Sequence, residues 1–132
     1  MRRMASPVWT QGFTAADGVK GLRIRTPLQA ADKVEVMLEQ WDAGSSEPPH
    51  SHSGADSTTV IAGRMTVQRY ARTASGELVK EGPLVELRSG DTGYFEANVI
   101  HDANYLEHCK LIYIHDGPFT FKDETSKYGE KN

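Results

Sequence analysis

Short apolar or alternating stretches, each cut off by glycine or proline, constrain the fold of this chain more than any other feature. Val34 to Trp41 alternates with a period of two, and residues 111–114 form a short apolar run. Residues 65–70 and 84–87 are further short runs of this kind. No longer window carries an apolar stripe at the 3.6-residue spacing of a helix. Short strands between turns are typical of sandwiches and barrels, so the chain is predicted to be all-β.

The length of 132 residues fits one domain and leaves no room for a second of ordinary size. Glycine-containing turn signals at residues 62–64 and 74–77 predict two hairpins inside that domain. We expect a single domain over residues 1–132, with a barrel at about residues 20–118. Residues 119–132 are rich in charge, and we expect them to form a polar, mobile tail.

Composition excludes several classes of protein and of site. A net charge of −3 provides no basic field for nucleic acid or for an anionic membrane. The single cysteine, Cys109, rules out an intramolecular disulfide and a metal site built from several cysteines. No apolar run approaches the length of a membrane helix, and no apolar segment follows the basic start of the chain. The expected location is therefore the cytoplasm.

Five histidines stand against one cysteine, and two of them are spaced as metal ligands. His50 and His52 follow two prolines that favour extended backbone, in which side chains two residues apart share a face. Their Cα atoms would lie about 6.6 Å apart, so both imidazoles could reach one ion. His101 and Asp56 add a third imidazole and a carboxylate. This donor set suits Fe(II), Mn(II), Ni(II), Co(II), Cu(II) or Zn(II).

Two glycine-anchored segments resemble the two sequence motifs of the cupin superfamily. The first reads Gly44-x5-His50-x-His52-x3-Asp56-x6-Gly63, and the second reads Gly90-x5-Glu96-x-Asn98-x2-His101. The glycines and the three histidines keep the spacing of that family. The family usually has Glu at the position of Asp56, and Pro and Gly at the positions of Glu96 and Asn98. The two segments and the strands between them cover about residues 33–116.

The resemblance implies a single cupin jelly-roll β-barrel with a metal ion in its mouth. It implies His50, His52 and His101 as ligands. Asp56 would be a fourth ligand, or would act through water or by orienting a histidine. We expect Fe(II) first, with Mn, Ni, Co, Cu or Zn as alternatives. Cupins with three-histidine sites include thiol dioxygenases and dioxygenases that cleave diketones or hydroxyketones.

Three interpretations of function stay open at this point. The first is a metal-dependent, dioxygenase-like enzyme that acts on a small chelating substrate. Isomerase or lyase chemistry at the same site is a variant of it, because a Lewis-acid metal polarises a carbonyl for either reaction. The second is a non-catalytic cupin that senses or carries a small ligand. The third has the histidines as ordinary polar residues at the rim, without a metal.

Other residues are candidates for the pocket around the metal. Tyr113 and His115 would touch a ligand if the final strand faces the cavity, and Tyr94 is a further candidate. Three arginines could anchor an anionic substrate, although a solvated sheet edge is the interpretation we favour for them. They are Arg64, Arg69 and Arg72.

The partner that these features predict is a small-molecule substrate or ligand, with no role for nucleic acid or membrane. Small barrels expose edge strands whose unpaired backbone groups can be covered by a second copy. A homodimer formed through an edge strand or through the N-terminal segment is therefore a further expectation.

Overall fold

The structure, a computed structural model, describes residues 8–29, 34–117 and 119–125. These residues form eleven strands and no helix, which confirms the all-β prediction. The described residues therefore include no helix long and apolar enough to cross a membrane. The strands are β1 (Thr14–Ala15), β2 (Leu22–Gln29), β3 (Val34–Trp41), β4 (Ser46–Ser51), β5 (Asp56–Ala62), β6 (Arg64–Arg72), β7 (Leu78–Arg88), β8 (Thr92–Phe95), β9 (Ile100–Tyr105), β10 (Cys109–Asp116) and β11 (Lys122–Asp123).

The strands are arranged in two antiparallel sheets. One sheet has six strands in the order β1-β2-β3-β10-β5-β8, and the other has five in the order β11-β4-β9-β6-β7. The hydrogen bonding of the described strands does not close into one barrel, so the predicted barrel takes the form of a two-sheet sandwich. In double-sheet folds the strands pair within each sheet and cross between sheets through loops, which leaves the core between the two layers.

Strand β10 shows how the alternating pattern builds the core. It lies between β3 and β5, and every second side chain on it is buried. Cys109, Leu111, Tyr113 and His115 are buried, and of these Leu111 and Tyr113 line the cavity. Their neighbours along the strand are half-buried or exposed. Alternate residues of a strand point to opposite faces, so one sequence supplies both the core and the outer surface.

The two predicted hairpins are present. Gly63 separates β5 from β6 with a φ of 94°, a backbone conformation that glycine adopts without strain. A Cβ at this position would lie 2.3 Å from the carbonyl oxygen of His108, so the close approach of the backbone also requires glycine. The second turn lies between β6 and β7, where the Thr73 amide donates to Glu77.

Residues 119–125, called the C-terminal strap below, pack against β4. Lys122 and Asp123 pair with β4 as strand β11. The Glu124 side chain is buried and accepts hydrogen bonds from the Ser51 hydroxyl and from the Arg72 guanidinium, both at 2.7 Å. This part of the predicted tail is therefore bound to the sandwich. The rest of that prediction, residues 126–132, lies outside the described residues.

A cavity of about 1040 Å³ lies between the two sheets. Beside it, apolar side chains from both sheets form the core, among them Val60 and Leu111 from one sheet and Met65 and Val67 from the other. Its lining includes the sequence-predicted histidines and residues of β3 and β9. The fold thus brings the polar residues of several strands into a single cavity.

Candidate metal centre

Three histidines, two in strands and one directly after a strand, converge in the lining of the cavity. His50 on β4 and His101 on β9 are direct cross-strand partners, and His52 follows at the end of β4. The ring centroids are 4.5 to 5.6 Å apart. One ring nitrogen from each lies within 4.8 Å of the other two, so the group could hold a metal ion. We call these three residues the histidine group.

The second ring nitrogen of each histidine is already occupied. Nδ1 of His50 donates to the Pro48 carbonyl at 2.7 Å, and Nδ1 of His101 donates to the Val99 carbonyl at 3.0 Å. Nδ1 of His52 donates to the carbonyl of Thr120 in the strap. A carbonyl only accepts, so each Nδ1 carries the proton and each Nε2 keeps its lone pair. Three imidazole donors fixed in this tautomer fit a first-row transition metal.

Burial keeps these imidazoles neutral. Desolvation lowers the pKa of His50 and of His52, and it lowers that of His101 to about 3, with the nearby His50 acting in the same direction. A neutral imidazole does not have to lose a proton before it binds a metal. The histidine group is therefore in its ligating state across the neutral range.

Two carboxylates flank the histidine group. Asp56 Oδ2 lies 3.8 Å from His52 Nε2 and accepts a hydrogen bond of 2.8 Å from the Tyr113 hydroxyl. Glu47 Oε2 lies 4.0 Å from His50 Nε2, and its other oxygen accepts one of 2.7 Å from Tyr105. Desolvation raises the pKa of both carboxyl groups. Asp56 does not belong to the set of residues whose ligand atoms all lie within 4.8 Å of one another.

Each imidazole of the group has a phenylalanine ring beside it. Phe121 stacks on His50 at 4.6 Å between centroids, and Phe95 stacks on His101 at 4.1 Å. Phe119 lies 5.4 Å from His52. Phe119 and Phe121 belong to the strap, and nearly half of each side chain is exposed. The histidine end of the cavity therefore has an apolar rim that limits access of water.

The other predicted pocket residues differ in position. Tyr113 lines the cavity. Tyr94 is 65% exposed and is not among the lining residues. His115 is buried but does not line the main cavity. Its Nε2 lies 2.8 Å from a carboxylate oxygen of Glu35, but the geometry does not form a hydrogen bond.

The cavity also holds a polar group around Glu39 that the sequence did not predict. Glu39 on β3 is 8% exposed and accepts a hydrogen bond of 2.9 Å from the Trp41 indole. Trp41 stacks on Tyr105 with ring centroids 4.2 Å apart, and Tyr105 holds Glu47. Desolvation, with the nearby Glu47 carboxylate, raises the pKa of Glu39 to about 8. The period-two spacing of Glu39 and Trp41 was the signal that could have found this group.

Solved structures with the same fold include a domain named as a cupin and two enzymes of different names. A cupin domain of Cnp3 from Schizosaccharomyces pombe is 12% identical with a TM-score of 0.64, over 83% of this chain and 70% of its own. Oxalate decarboxylase from Lactobacillus farciminis is 21% identical with a TM-score of 0.63, and the match covers 84% of this chain and 33% of the decarboxylase chain. Salicylate 1,2-dioxygenase from Pseudoaminobacter salicylatoxidans is 12% identical with a TM-score of 0.63, and the match covers 81% of this chain and 32% of the dioxygenase chain.

No protein-family model matches the sequence, and no curated protein matches it. The likeness to the solved structures is one of fold, because sequence identities this low carry no activity with them. The two motifs in the sequence resemble those of the cupin superfamily. The solved structures agree with that resemblance, as do the order of strands in the sheets and the pairing of His50 with His101. The chain therefore has the cupin fold.

Proposed function

We propose that the protein is a metal-dependent enzyme, dioxygenase-like in its chemistry, that acts on a small chelating substrate. The observation that carries the proposal is the histidine group, in which one ring nitrogen from each of three histidines lies within 4.8 Å of the other two in the lining of the cavity. His50, His52 and His101 would hold the metal, with Fe(II) as the first choice for oxygen chemistry. Asp56 would act beside the group rather than inside it.

The chain itself prepares the site in three ways. The carbonyls of Pro48, Val99 and Thr120 fix the rings, so little motion is needed when the metal binds. The phenylalanine rings at the rim restrict water near the reacting atoms. The Tyr113 hydroxyl holds the Asp56 carboxylate about 4 Å from the nearest imidazole, where it can balance the charge of a cation.

When bound, the metal would supply a Lewis acid and a redox centre with positions left open for small molecules. The cavity determines which molecules reach it. Its volume of about 1040 Å³ accommodates a small organic substrate, and Tyr113 and Glu47 lie where they can orient one. The protein thereby contributes binding, orientation and exclusion of water.

A second candidate is a metal-dependent isomerase or lyase at the same site. Glu47 favours it, because this carboxyl group lines the cavity, lies 4.0 Å from His50 Nε2 and has a pKa raised by burial. A carboxyl group with such a pKa can take or return a proton beside a polarised carbonyl. Oxygen uptake separates the two candidates, since only the first consumes O₂.

The proposal is tested first by metal content. Full-length protein reconstituted with Fe(II) under anaerobic conditions and desalted should retain close to one equivalent by elemental analysis. The double variant His50→Ala/His101→Ala should retain almost none, because a single imidazole remains. His108→Ala is the matched control, since His108 contacts Gln40 outside the cavity and its loss should leave the metal in place.

A wild-type protein that retains no metal after reconstitution would overturn the proposal. So would a double variant that retains as much metal as the wild type. With metal in place, oxygen consumption is measured with a panel of chelating thiols, diketones and hydroxyketones. Uptake with one of them, absent in the double variant, supports the dioxygenase. A metal-loaded protein that turns over a chelating carbonyl without consuming O₂ supports the second candidate instead.

A further inference from the structure

The cavity is much larger than a metal ion and a chelating group of a few atoms require. Its volume of about 1040 Å³ lies at the upper limit of the pockets that hold drug-sized ligands, about 300 to 1000 Å³. Protein interiors otherwise contain few voids larger than a water molecule, because a void deprives the side chains around it of packing contacts. A cavity of this size, continuous with the histidine group, has room for a ligand that extends well beyond the metal.

Beyond the histidine group, the buried side chains that line the cavity are largely apolar. Both sheets contribute to this part of the lining, which we call the apolar lining. Its members are Ile24, Met37 and Leu111 from one sheet and Met65, Val67 and Leu87 from the other. Five of them are buried and Ile24 is half-buried. Apolar side chains that face a cavity make fewer contacts than the rest of the core, and an apolar ligand supplies the missing ones.

The strand register shows that the cavity extends away from the histidine group along the six-stranded sheet. Asp56, which lies 3.8 Å from His52 Nε2, pairs with His115 on β10. Trp41 lines the cavity and pairs with Cys109, six residues away on the same strand. Six residues of a strand span about 20 Å. The lining at Trp41 is therefore remote from the metal ligands.

Three alternate residues of β3 line this stretch over about 13 Å: Met37, Glu39 and Trp41. Met37 and Trp41 present apolar surface. Glu39 accepts a hydrogen bond of 2.9 Å from the Trp41 indole. Burial, together with the nearby Glu47 carboxylate, raises the pKa of Glu39 to about 8. Glu39 therefore carries a proton most of the time at neutral pH and adds little charge to the stretch.

The three arginines considered as anchors for an anion lie elsewhere. Arg64 forms ion pairs at the surface, Arg72 is bound to the strap, and Arg69 is exposed. None of the three lines the cavity. In the described part of the chain, Lys20 is the one lysine or arginine in the lining, and it lies on an exposed turn. Apolar contact is therefore the main interaction that the stretch beyond the histidine group offers to a substrate.

We propose that the substrate carries an apolar body behind its chelating group, an alkyl or aryl chain of up to about 13 Å that lies against the apolar lining. This inference rests on the proposed function, since it assigns a substrate class to the same cavity. Met37, Met65 and Val67 would contact the body while the chelating group reaches the metal. The flexible side chains of the two methionines can adapt to the shape of a ligand. A substrate of only a few atoms would leave this part of the cavity unfilled.

The first test uses the straight-chain alcohols from 1-butanol to 1-octanol, which have no chelating group and therefore report on the apolar lining alone. Binding to full-length protein treated with a chelator is measured by NMR titration. Each methylene group that enters the cavity should tighten binding about threefold to fourfold, so 1-octanol should bind on the order of 100-fold tighter than 1-butanol. A gain of less than about tenfold over the series would overturn the inference.

Two variants that fill the cavity show where the alcohols bind. Val67→Phe should weaken binding of 1-octanol about tenfold or more, because its ring occupies the space of several methylene groups. Ala103→Leu, at a second buried residue of the lining, is an independent variant with the same expectation. Val79→Phe is the matched control, since Val79 is 44% exposed and lies outside the lining, and it should bind as the wild type does.

Cooperative urea denaturation identifies the variants that have folded. If only one cavity variant folds, that variant decides. Binding of 1-octanol to the folded cavity variants that is as tight as to the wild type would overturn the inference.

The second test asks whether the apolar lining is reached from the metal. The probes are 2,4-pentanedione and 2,4-nonanedione, which share a chelating group and differ by four methylene groups. In metal-loaded protein the longer diketone should bind tighter by a factor on the order of 100, as in the alcohol series. Equal affinity for the two diketones would overturn the inference, because the chelating group and the body would not then fit the cavity together.

Metal content, measured on the same samples, distinguishes this inference from the proposed function. A protein that retains metal but shows no gain with chain length overturns the inference and leaves the metal site standing. A protein that binds the longer alcohols tighter but retains no metal supports the apolar lining as a binding site and overturns the proposed function.

Discussion

Two sets of polar groups in the cavity are held by different means. In the histidine group, backbone carbonyls accept the Nδ1 protons of all three imidazoles, so the strands and the strap determine how the rings are oriented. Glu39 and Glu47 are instead held by the side chains of Trp41 and Tyr105. The backbone partners leave the histidine group with free lone pairs, whereas burial raises the pKa of both carboxyl groups. The first set therefore offers metal ligands, and the second carries an electrostatic cost.

The difference also has an energetic meaning. Neutral imidazoles that donate to carbonyls are satisfied without a ligand, so the histidine end costs little in the absence of metal. Buried carboxylates are costly, because desolvation, and for Glu39 also the nearby Glu47 carboxylate, disfavours their charged form. A change in the histidine group should therefore alter metal binding, and a change at Glu39 should alter stability and its pH dependence.

The largest expected effect is the gain in stability on metal binding. At a free metal concentration 1000 times the Kd, the free energy of unfolding should rise by about 4 kcal/mol. His52→Ala should lose most of this gain, and Glu39→Gln should keep it. Chemical denaturation with and without metal measures both. An equal gain in His52→Ala would show that metal binding does not depend on the histidine group.

Glu39→Gln should change stability in a pH-dependent way. The pKa of Glu39 in the fold, about 8, lies above the ordinary value of 4.5, so the wild type loses stability as pH rises between these values. The variant lacks this loss and should be more stable by about 3 kcal/mol at pH 7. The two proteins should be equally stable near pH 4.

The measurement is urea denaturation at several pH values, with the surface variant Glu86→Gln as control. A Glu39→Gln protein whose stability follows that of the wild type from pH 4 to pH 8 would contradict the raised pKa of Glu39. The Gln amide oxygen still accepts from Trp41, so a lost hydrogen bond does not confuse the comparison.

Asp56→Asn tests the carboxylate next to the histidine group. Loss of its charge should weaken metal affinity by about 10- to 100-fold, an effect common for groups that support metal ligands without binding the metal. Competition with a chelator of known affinity gives the ratio. Asp116→Asn, at the exposed end of β10, should have no effect. A larger loss, comparable to that of a histidine variant, would make Asp56 a ligand.

The smallest expected effect concerns the strap. Glu124→Gln weakens two hydrogen bonds that hold the strap, and it should cost about 1 kcal/mol of stability. Because Thr120 orients His52, the metal should also dissociate faster. Glu107→Gln, which alters an exposed ion pair with Arg64, is the control. An unchanged dissociation rate would show that the strap has no influence on the histidine end.

The sequence predicted the histidine end because its information is local. His50 and His52 share a face through their spacing alone. His101 stands at the histidine position of the second motif, counted from Gly90. Glu39 was harder, because a period of two does not say which face is inward. Met37, Glu39 and Trp41 line the cavity, while Val34 on the opposite phase is 40% exposed.

Glu47 and the strap were missed for other reasons. Glu47 stands among serines and prolines, a composition that indicates a loop, and only the pairing of β4 with β9 brings it to Tyr105. The strap was predicted to be polar from its charges, yet Phe119 and Phe121 lie two residues apart in it, and this spacing was the available signal. Tertiary pairing, rather than local pattern, decides these positions.

The pairing of β4 with β9 has a consequence for the order of events during synthesis. His50 and His52 leave the ribosome well before His101, and the strap follows later still. A nascent chain therefore exposes two of the three histidines before any cavity exists. The complete histidine group depends on contacts between distant parts of the chain, which form slowly. Under the proposed function, metal that arrives after folding would meet the complete site, and metal present during translation would meet only two of its histidines.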